Sequence, residues 1–227
     1  AADGRLGGVE ALLRWQHPTM GLLAPPIFID LAEQRGLITP IGDWVLATAC
    51  RQAAAWNRNG RAALPVSVNI SPVQMRKGRL RESVLRALNE SGLAPSLLAL
   101  EITEGAVMED VTSAARLLDD LHAIGVQIEI DDFGTGHSSL AYLKQLPIQR
   151  LKVDRSFIRD IPGDPDDTAI VEAIISLATS LKIGIIAEGV ETDEQRTFLL
   201  ARGCRAMQGY RFAHPESPEA FEKRLAG

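Results

Sequence analysis

Seven short apolar stretches along the chain each carry a polar residue, ionisable in most cases, within the stretch or just after it. These residues are Glu10, Asn69, Glu101, Asp131, Lys152, Glu188 and Gln208. Carboxylate and amide oxygens are hard ligands of the kind that magnesium and manganese prefer. Asp132 follows Asp131 directly, so adjacent carboxylates could serve two metal ions with one carboxylate bridging. Two-metal sites suit in-line displacement at phosphorus, and the set therefore favours hydrolysis of a phosphodiester.

The remaining members of the set could act on water and substrate. Lys152 could orient the nucleophilic water or neutralise developing charge, and Glu188 could bind metal and take a proton from that water. Gln208 could fix the water or the substrate. Each residue taken alone has an ordinary structural explanation, such as a helix cap, a loop hydrogen bond or a solvated charge. The hypothesis of one site depends on their joint occurrence at successive strand ends.

The elements that must position these residues alternate between strand and helix patterns. Strands are predicted at residues 8–15, 65–70, 97–103, 126–131, 150–154, 183–187 and 206–210. Helices are predicted at about 27–32, 43–56, 80–88, 111–125, 138–146, 170–181, 193–202 and after 217. In a parallel α/β barrel every strand ends at the same mouth, so this order predicts a single domain over residues 1–227 of TIM (β/α)8 type. Such a barrel needs eight strands, so either the eighth lies upstream of Ala1, which we expect, or one strand within the chain has no clear sequence pattern.

The composition limits the class of protein. The formal charge is −5, from 24 basic and 29 acidic residues, and no basic run is present, which argues against a DNA-binding role. Cys50 and Cys204 have no metal-type spacing and are expected to be reduced core residues of a cytoplasmic protein. The longest apolar-rich stretch, 169–181, is interrupted by Glu172 and is too short for membrane insertion. The three tryptophans are expected in the core: Trp15, Trp44 and Trp56.

An ordered set of motifs spans nearly the whole chain and resembles the EAL domains, bacterial phosphodiesterases of the second messenger cyclic di-GMP. The motifs are EALLRW at 10–15, VNIS at 68–71, EITE at 101–104, DDFGTG at 131–136, LKVDRSF at 151–157, AEGVE at 187–191 and QGY at 208–210. The resemblance implies a modified TIM barrel that hydrolyses cyclic di-GMP to linear pGpG with two Mg²⁺ or Mn²⁺ ions.

The resemblance also implies roles for individual residues. The first metal ion would be bound by Glu10, Asn69, Glu101 and Asp131. Asp132 would contribute to the second ion, and Glu188 would be a general base or second-metal ligand. Lys152 would hold the water, with Gln208 beside it.

Four further residues match positions of the same family. Arg14 would contact a phosphate and Glu191 a guanine edge, and Asp154 lies near the lysine in sequence. Glu104 would hold the loop that begins at Asp131, which couples catalysis to dimerisation in this family. A homodimer is therefore expected.

The chain departs from the family pattern in a few places. His137 stands where many members have tyrosine, Gly105 replaces a usual serine, and residues 214–217 depart from the common lysine or arginine before proline. The family's N-terminal helix and antiparallel strand are not found, so we expect a fragment of a longer signalling protein with sensory or GGDEF-type domains. The alternative is a non-catalytic cyclic di-GMP receptor. A purely structural barrel would leave the carboxylate cluster unexplained.

Overall fold

A computed structural model of the chain describes residues 5–58, 63–136 and 140–226. The strands are β1 (Val9–Ala11), β2 (Trp15–His17), β3 (Gly21–Leu23), β4 (Val66–Ile70), β5 (Leu98–Thr103), β6 (Gln127–Phe133), β7 (Arg150–Val153), β8 (Gly184–Ala187) and β9 (Ala206–Met207). The α-helices are α1 (Ile29–Gln34), α2 (Ile38–Asn57), α3 (Pro72–Arg76), α4 (Leu80–Ser91), α5 (Glu104–Glu109), α6 (Val111–Ile124), α7 (Leu140–Leu143), α8 (Arg155–Ile158), α9 (Pro165–Leu181), α10 (Asp193–Ala201) and α11 (Pro218–Ala226). Single 3-10 turns lie at Pro25–Ile27 and Pro95–Leu97.

The chain folds into two compact units. The hairpin unit comprises the described parts of Gly8–Leu100 and Asp120–Gln127. The lysine unit comprises the described parts of Ala1–Gly7, Glu101–Asp119 and Ile128–Gly227.

In the hairpin unit, β1 pairs in parallel with β4, and the strand order continues to β5. Strand β4 alternates as expected for period two: Val66, Val68 and Ile70 are buried, whereas Asn69 points to the opposite face and is exposed. Helix α2 contributes Cys50 to a fully buried core. Strands β2 and β3 form a separate antiparallel hairpin.

In the lysine unit, the strand order is β5, β6, β7, β8 and β9. The pairings of β6 with β7, β7 with β8 and β8 with β9 are parallel. Leu151, Lys152 and Val153 are all buried, so β7 is covered on both faces, as parallel strands usually are. The register between β6 and β7 shifts between Ile130 and Phe133. This irregularity lies where the predicted site residues begin.

The predicted strands are all present, with shifted ends. The strand expected at 8–15 is divided, because the chain leaves β1 after Ala11 and Trp15 pairs with Leu23 in the hairpin. Helix α2 begins at Ile38 rather than residue 43. Pro40 lies in the first turn of α2, where proline is tolerated because its missing N–H has no partner to lose.

Short helices that directly follow strands were missed. Helices α3, α5 and α8 begin beside Ser71, Thr103 and Asp154, whose side chains each accept a backbone N–H as N-caps. The helix expected at 138–146 is described only as α7, because residues 137–139, which include His137, lie outside the described part. The end of the loop that begins at Asp131 also lies outside the described part.

The expectation that the tryptophans are core residues is wrong for two of them. Trp15 is 42% exposed and Trp44 is 57% exposed. Trp15 lies on the two-stranded hairpin, where a short ribbon covers little apolar surface, and its ring packs edge-on against Phe28. Both cysteines are buried and neither is in a disulfide, as expected. In the part of the chain that the structure describes, no helix is long and apolar enough to cross a membrane.

Candidate active site

Lys152 lies at the centre of a buried group of carboxylates in the lysine unit. Its side chain is 1% exposed, and its Nζ lies 2.7 Å from Glu188 Oε1, 2.9 Å from Glu101 Oε2 and 3.4 Å from Asp131 Oδ1. The four residues come from β5, β6, β7 and the residue after β8. An ammonium group excluded from water stays charged only when such anions surround it. Three carboxylates against one ammonium leave a formal surplus of negative charge.

Asp132 extends this acidic group and has an unusual backbone. Its φ is 53°, in the left-handed region that residues other than glycine seldom adopt, and its N–H bonds to Asp131 Oδ1 at 3.0 Å. Burial, followed by the charges of Asp131 and Asp154, raises the pKa of Asp132. A bound cation would lower the pKa of Asp132 again, because it would favour the ionised carboxylate.

Asp154 has a structural role that its position after β7 explains. Its Oδ1 accepts a hydrogen bond from the Ser156 N–H at 2.9 Å and also bonds the Ser156 hydroxyl, which caps helix α8. Burial opposes the ionisation of Asp154, but these hydrogen bonds from Ser156 outweigh it and lower the pKa. Asp154 is thus held as an anion next to Asp132.

Glu104 holds the segment that follows β6. Its side chain is 2% exposed, and its Oε2 accepts the Gly134 N–H at 2.9 Å. A Cβ added at Gly136 would lie 2.7 Å from Glu104 Oε1, so the backbone there approaches the carboxylate closely. The described part of the loop is therefore tied to the first residue of helix α5.

The ends of β8 and β9 are joined by backbone hydrogen bonds. The Gln208 N–H donates to Ala187 O at 2.8 Å, and the Val190 N–H donates to Gln208 O at 3.0 Å. Gly209 has a φ of 150°, and a Cβ there would lie 2.3 Å from Val190 N, so only glycine fits. The Glu191 N–H is bonded to the Gln195 side chain at 2.7 Å, and the Glu191 side chain itself is exposed. The backbone segment that carries Glu188 and Glu191 is thereby hydrogen-bonded to the segment that carries Gln208.

The hairpin unit brings together the remaining predicted ligands. Asn69 Nδ2 donates to Glu10 Oε1 at 2.7 Å, which joins β4 to β1 on the face of β4 that carries no apolar side chain. Arg14 is half-buried and donates from Nη1 to Leu13 O at 2.8 Å.

The donor side chains of the candidate site are of the kind that bind hard divalent metal ions. Among the described residues, no three acidic, histidine or cysteine side chains are arranged as a ready-made metal cage. The chemistry of the donors does fit Mg²⁺ or Mn²⁺: the group around Lys152 consists of carboxylates with surplus negative charge. The raised pKa of Asp132, caused by burial and by Asp131, indicates the same excess.

Two pairs of residues near the predicted site were not anticipated. Ser71 Oγ donates to Glu33 Oε1 at 2.6 Å, and Arg150 forms an ion pair with Glu129. Both had usable signals in the sequence. Ser71 and Gln74 have the spacing of a capping box, and Glu129 and Arg150 each precede a predicted site residue by two positions on the same strand face.

Comparison with known proteins shows the family. The EAL domain profile matches residues 1–215. The chain is 48% identical over 226 residues to the bifunctional diguanylate cyclase/cyclic di-GMP phosphodiesterase MucR of Pseudomonas aeruginosa, covering 100% of this chain and 33% of MucR. It is 46% identical over 224 residues to the cyclic di-GMP phosphodiesterase NbdA of the same organism, covering 99% of this chain and 29% of NbdA.

A solved structure gives the same result for the fold. The structure of the PaMucR phosphodiesterase in complex with c-di-GMP superposes with a TM-score of 0.92 and 48% sequence identity, covering 94% of this chain and 87% of that one. The predicted α/β fold of modified TIM-barrel type is confirmed. The chain therefore belongs to the EAL domain family. It spans about a third of the length of the curated relatives named above.

Proposed function

We propose that the chain hydrolyses cyclic di-GMP to linear pGpG with two Mg²⁺ or Mn²⁺ ions. The observation that carries the proposal is the buried Lys152 with three carboxylates around its ammonium group. An ammonium among carboxylates next to a strained aspartate is an arrangement that folding stability alone does not favour. The names of MucR and NbdA support the choice of substrate.

The metal ligands are divided into two proposed sets. Glu10, Asn69, Glu101 and Asp131 bind the first ion, and Asp132 and Glu188 bind the second. When bound, the ions supply Lewis-acid stabilisation of charge on the phosphate and on the departing 3′ oxygen, and they activate the attacking water.

Two residues act on the water in this proposal. Lys152 orients the water and neutralises developing negative charge, and Glu188 accepts the proton that the water loses. The water oxygen forms a bond to phosphorus, the bond from phosphorus to the 3′ oxygen breaks, and that oxygen leaves with a proton from solvent. The contact of 2.7 Å between Lys152 Nζ and Glu188 Oε1 supports this proposal, because it places the two groups side by side, where one water can contact both.

Substrate contacts are proposed for the exposed and half-buried residues. Arg14 binds a phosphate, Glu191 recognises a guanine edge, and Gln208 and Asp154 complete the contacts. Cyclic di-GMP contains two identical phosphodiesters, and only one needs to reach the metal ions. Glu104 stabilises the loop that begins at Asp131, and we propose that this loop links catalysis to a homodimer.

The setting of the domain is also a proposal. We propose that it works in the cytoplasm as one part of a longer signalling protein that carries sensory or GGDEF-type domains. The name of MucR, a bifunctional diguanylate cyclase and phosphodiesterase, supports this setting.

A non-catalytic cyclic di-GMP receptor is the second candidate. The observation that favours it is the solved PaMucR complex with c-di-GMP, because a bound nucleotide is all that a receptor requires. A receptor would bind the nucleotide and signal through a change in conformation, with no need for water activation.

The deciding experiment is incubation of the purified chain with cyclic di-GMP and Mn²⁺ or Mg²⁺, followed by chromatography of the nucleotides. The enzyme proposal expects pGpG to appear with metal and to be absent when a chelator is added. Glu10→Ala is the matched variant, and we expect it to lose turnover because it removes a proposed ligand. Tight binding of cyclic di-GMP without pGpG would support the receptor instead.

A further inference from the structure

The turn that follows β4 is held by a carboxylate that belongs to a different helix. Ser71 Oγ donates a hydrogen bond of 2.6 Å to Glu33 Oε1 on α1. Ser71 Oγ also accepts a hydrogen bond from the Val73 N–H at 3.0 Å. Both Glu33 and Ser71 are half-buried. Hydrogen bonds to an ionised carboxylate are roughly twice as strong as neutral ones, so this contact orders the turn more firmly than the N-cap alone would.

A second contact holds the same serine from the other side. Gln74 Oε1 accepts the Ser71 N–H at 3.1 Å and completes the capping box of α3. The Gln74 side chain is 6% exposed and packs over Gly42 of α2, where an added Cβ would lie 2.1 Å from Gln74 Nε2. The Ser71 hydroxyl is therefore fixed by Glu33 of α1, and the Ser71 N–H is fixed by Gln74, whose side chain packs against Gly42 of α2.

The fixed turn begins two residues after Asn69. Asn69 is exposed, and its amide donates to Glu10 at 2.7 Å. Glu33 is bonded to Ser71 and can act on Asn69 only through the backbone between them. A chain of contacts thus runs from α1 to Ser71, which directly follows β4 and lies two residues after Asn69.

From this chain of contacts we infer that Glu33 is a positioning residue for Asn69, and that it sets the affinity of the hairpin unit's ligands, Asn69 and Glu10, for a divalent cation. The inference rests on the proposed function, because that proposal gives Asn69 a metal ion to bind. Partners that orient a metal ligand from behind typically contribute 10–100-fold to metal affinity. Neither Ser71 nor Glu33 needs to touch the ion or the substrate for this effect.

The test compares Mn²⁺ binding by the purified chain with that of Glu33→Ala and Glu33→Gln, using the electron paramagnetic resonance signal of unbound Mn²⁺. We expect Glu33→Ala to raise the dissociation constant about tenfold. Glu33→Gln should recover most of the affinity, because its amide oxygen still accepts the Ser71 hydroxyl. Glu90→Ala, which removes an exposed glutamate from α4, is the matched control and should bind Mn²⁺ like the unaltered chain.

A double-mutant cycle with Asn69→Ala separates positioning from general loss of structure. If Glu33 acts through Asn69, Glu33→Ala should have little further effect on the Mn²⁺ dissociation constant once Asn69 is alanine. Unchanged Mn²⁺ affinity in Glu33→Ala, or a full additional effect in the Asn69→Ala background, would overturn the inference. Should Glu33→Ala fail to fold, Ser71→Ala removes the same contact from the other partner and is expected to raise the constant similarly.

The outcome also separates this inference from the proposed function. A chain that forms pGpG but whose Glu33→Ala variant binds Mn²⁺ normally would leave the enzyme proposal standing and the inference wrong. A chain that forms no pGpG, yet loses Mn²⁺ affinity in Glu33→Ala, would support the positioning role and count against catalysis. A chain that binds no Mn²⁺ would overturn both the metal site and the inference.

Discussion

At the scale of single residues, the candidate site is defined by charges that do not balance. Lys152 is the one buried ammonium among the described residues, and carboxylates from Glu101, Asp131 and Glu188 approach it. Such a group is stable only while every charge keeps a partner. Changes at Lys152 and at Asp132 should therefore have opposite effects on folding.

Replacement of Lys152 by methionine should destabilise the chain and abolish activity. Removal of one partner from a buried ion pair leaves uncompensated charge and typically costs about 3–5 kcal/mol. We expect the free energy of unfolding, measured in urea at neutral pH, to fall by about this amount. Turnover should fall at least 100-fold, since a general-acid–base or charge-neutralising group typically contributes about 10²–10⁴-fold. Lys223→Met, on the exposed face of α11, is the matched control. A Lys152→Met variant as stable as Lys223→Met would contradict the claim that the Lys152 ammonium balances buried carboxylates.

Replacement of Asp132 by asparagine should stabilise the metal-free chain while removing activity. Burial and the neighbouring charges of Asp131 and Asp154 raise the pKa of Asp132, so its ionised form disfavours folding. This destabilisation is absent below the unfolded pKa of about 3.9, grows as pH rises through the raised folded pKa, and is fully present above it. Asparagine carries no charge and tolerates the φ of 53°.

The pH dependence of unfolding in chelator checks the effect at Asp132. We expect Asp132→Asn to exceed the unaltered chain in free energy of unfolding at pH 7, with the difference shrinking as pH approaches 4. Asp119→Asn, on the exposed part of α6, serves as the control. A variant that is less stable than the unaltered chain at pH 7 would show that Asp132 is held by contacts that need its charge.

At the scale of elements, strands β6 and β7 carry two ion pairs, one above the other. Glu129 pairs in register with Arg150, and each lies two residues before Asp131 and Lys152 on its own strand, on the same face. Gly184 of β8 lies beside Arg150, and an added Cβ would come 3.1 Å from Arg150 Cγ. The two strands therefore place a supporting pair beneath the candidate site.

Disruption of the Glu129–Arg150 pair should clearly lower the free energy of unfolding and have a smaller effect on turnover. Glu129 is 2% exposed, so Arg150→Met leaves a buried carboxylate without its arginine, although the arginine itself is one-third exposed and partly screened. We expect a loss of about 2–3 kcal/mol in the free energy of unfolding, measured in urea, which is at or below the roughly 3–5 kcal/mol of a fully buried pair because Arg150 is partly screened. The double variant Arg150→Met with Glu129→Met should regain much of the lost free energy of unfolding, because no buried charge is left without a partner. Equal losses in the single and double variants would show that packing, not charge, dominates.

At the scale of the whole molecule, the hairpin and lysine units share continuous elements. Strand β5 runs from Leu98–Leu100 in the hairpin unit into residues 101–103 of the lysine unit, and α6 also crosses the boundary. Continuous strands and helices resist separate unfolding, because their hydrogen-bond ladders form cooperatively. The single domain predicted over residues 1–227 should accordingly unfold in one step.

The two cysteines offer a direct measurement of this cooperativity, since Cys50 lies in the hairpin unit and Cys204 in the lysine unit. Burial raises the pKa of each thiol to about 11, so neither should react with a thiol reagent at pH 8 in the folded chain. We expect both to become reactive at the same urea concentration, as read by mass spectrometry of the labelled peptides. Two separate midpoints would show that the units unfold independently.

The sequence by itself determined the alternation of strands and helices and the types of residue at the strand ends. Period-two and period-3.6 patterns, the αL cap at Gly92 and the N-capping residues are local, so strand β4 and helix α4 were predicted nearly to their ends. Short helices such as α3 were missed, because their few residues carry too little periodicity to separate them from loops. The exposure of Trp15 and Trp44 was missed as well, because composition does not say which apolar residues neighbouring elements will cover.

Only the tertiary structure decided which charges meet. In sequence, Lys152 could as well be a solvated charge, and its contacts with Glu101 and Glu188 join residues 51 and 36 positions away. Such contacts depend on strand register and on the side of the sheet each residue faces, which local propensities do not fix. The same reason hid the hydrogen bond between Ser71 and Glu33, 38 residues apart, on which the positioning of Asn69 depends. Residue type limits what chemistry a site could do, and the packing of distant strands and helices determines which residues come together to do it.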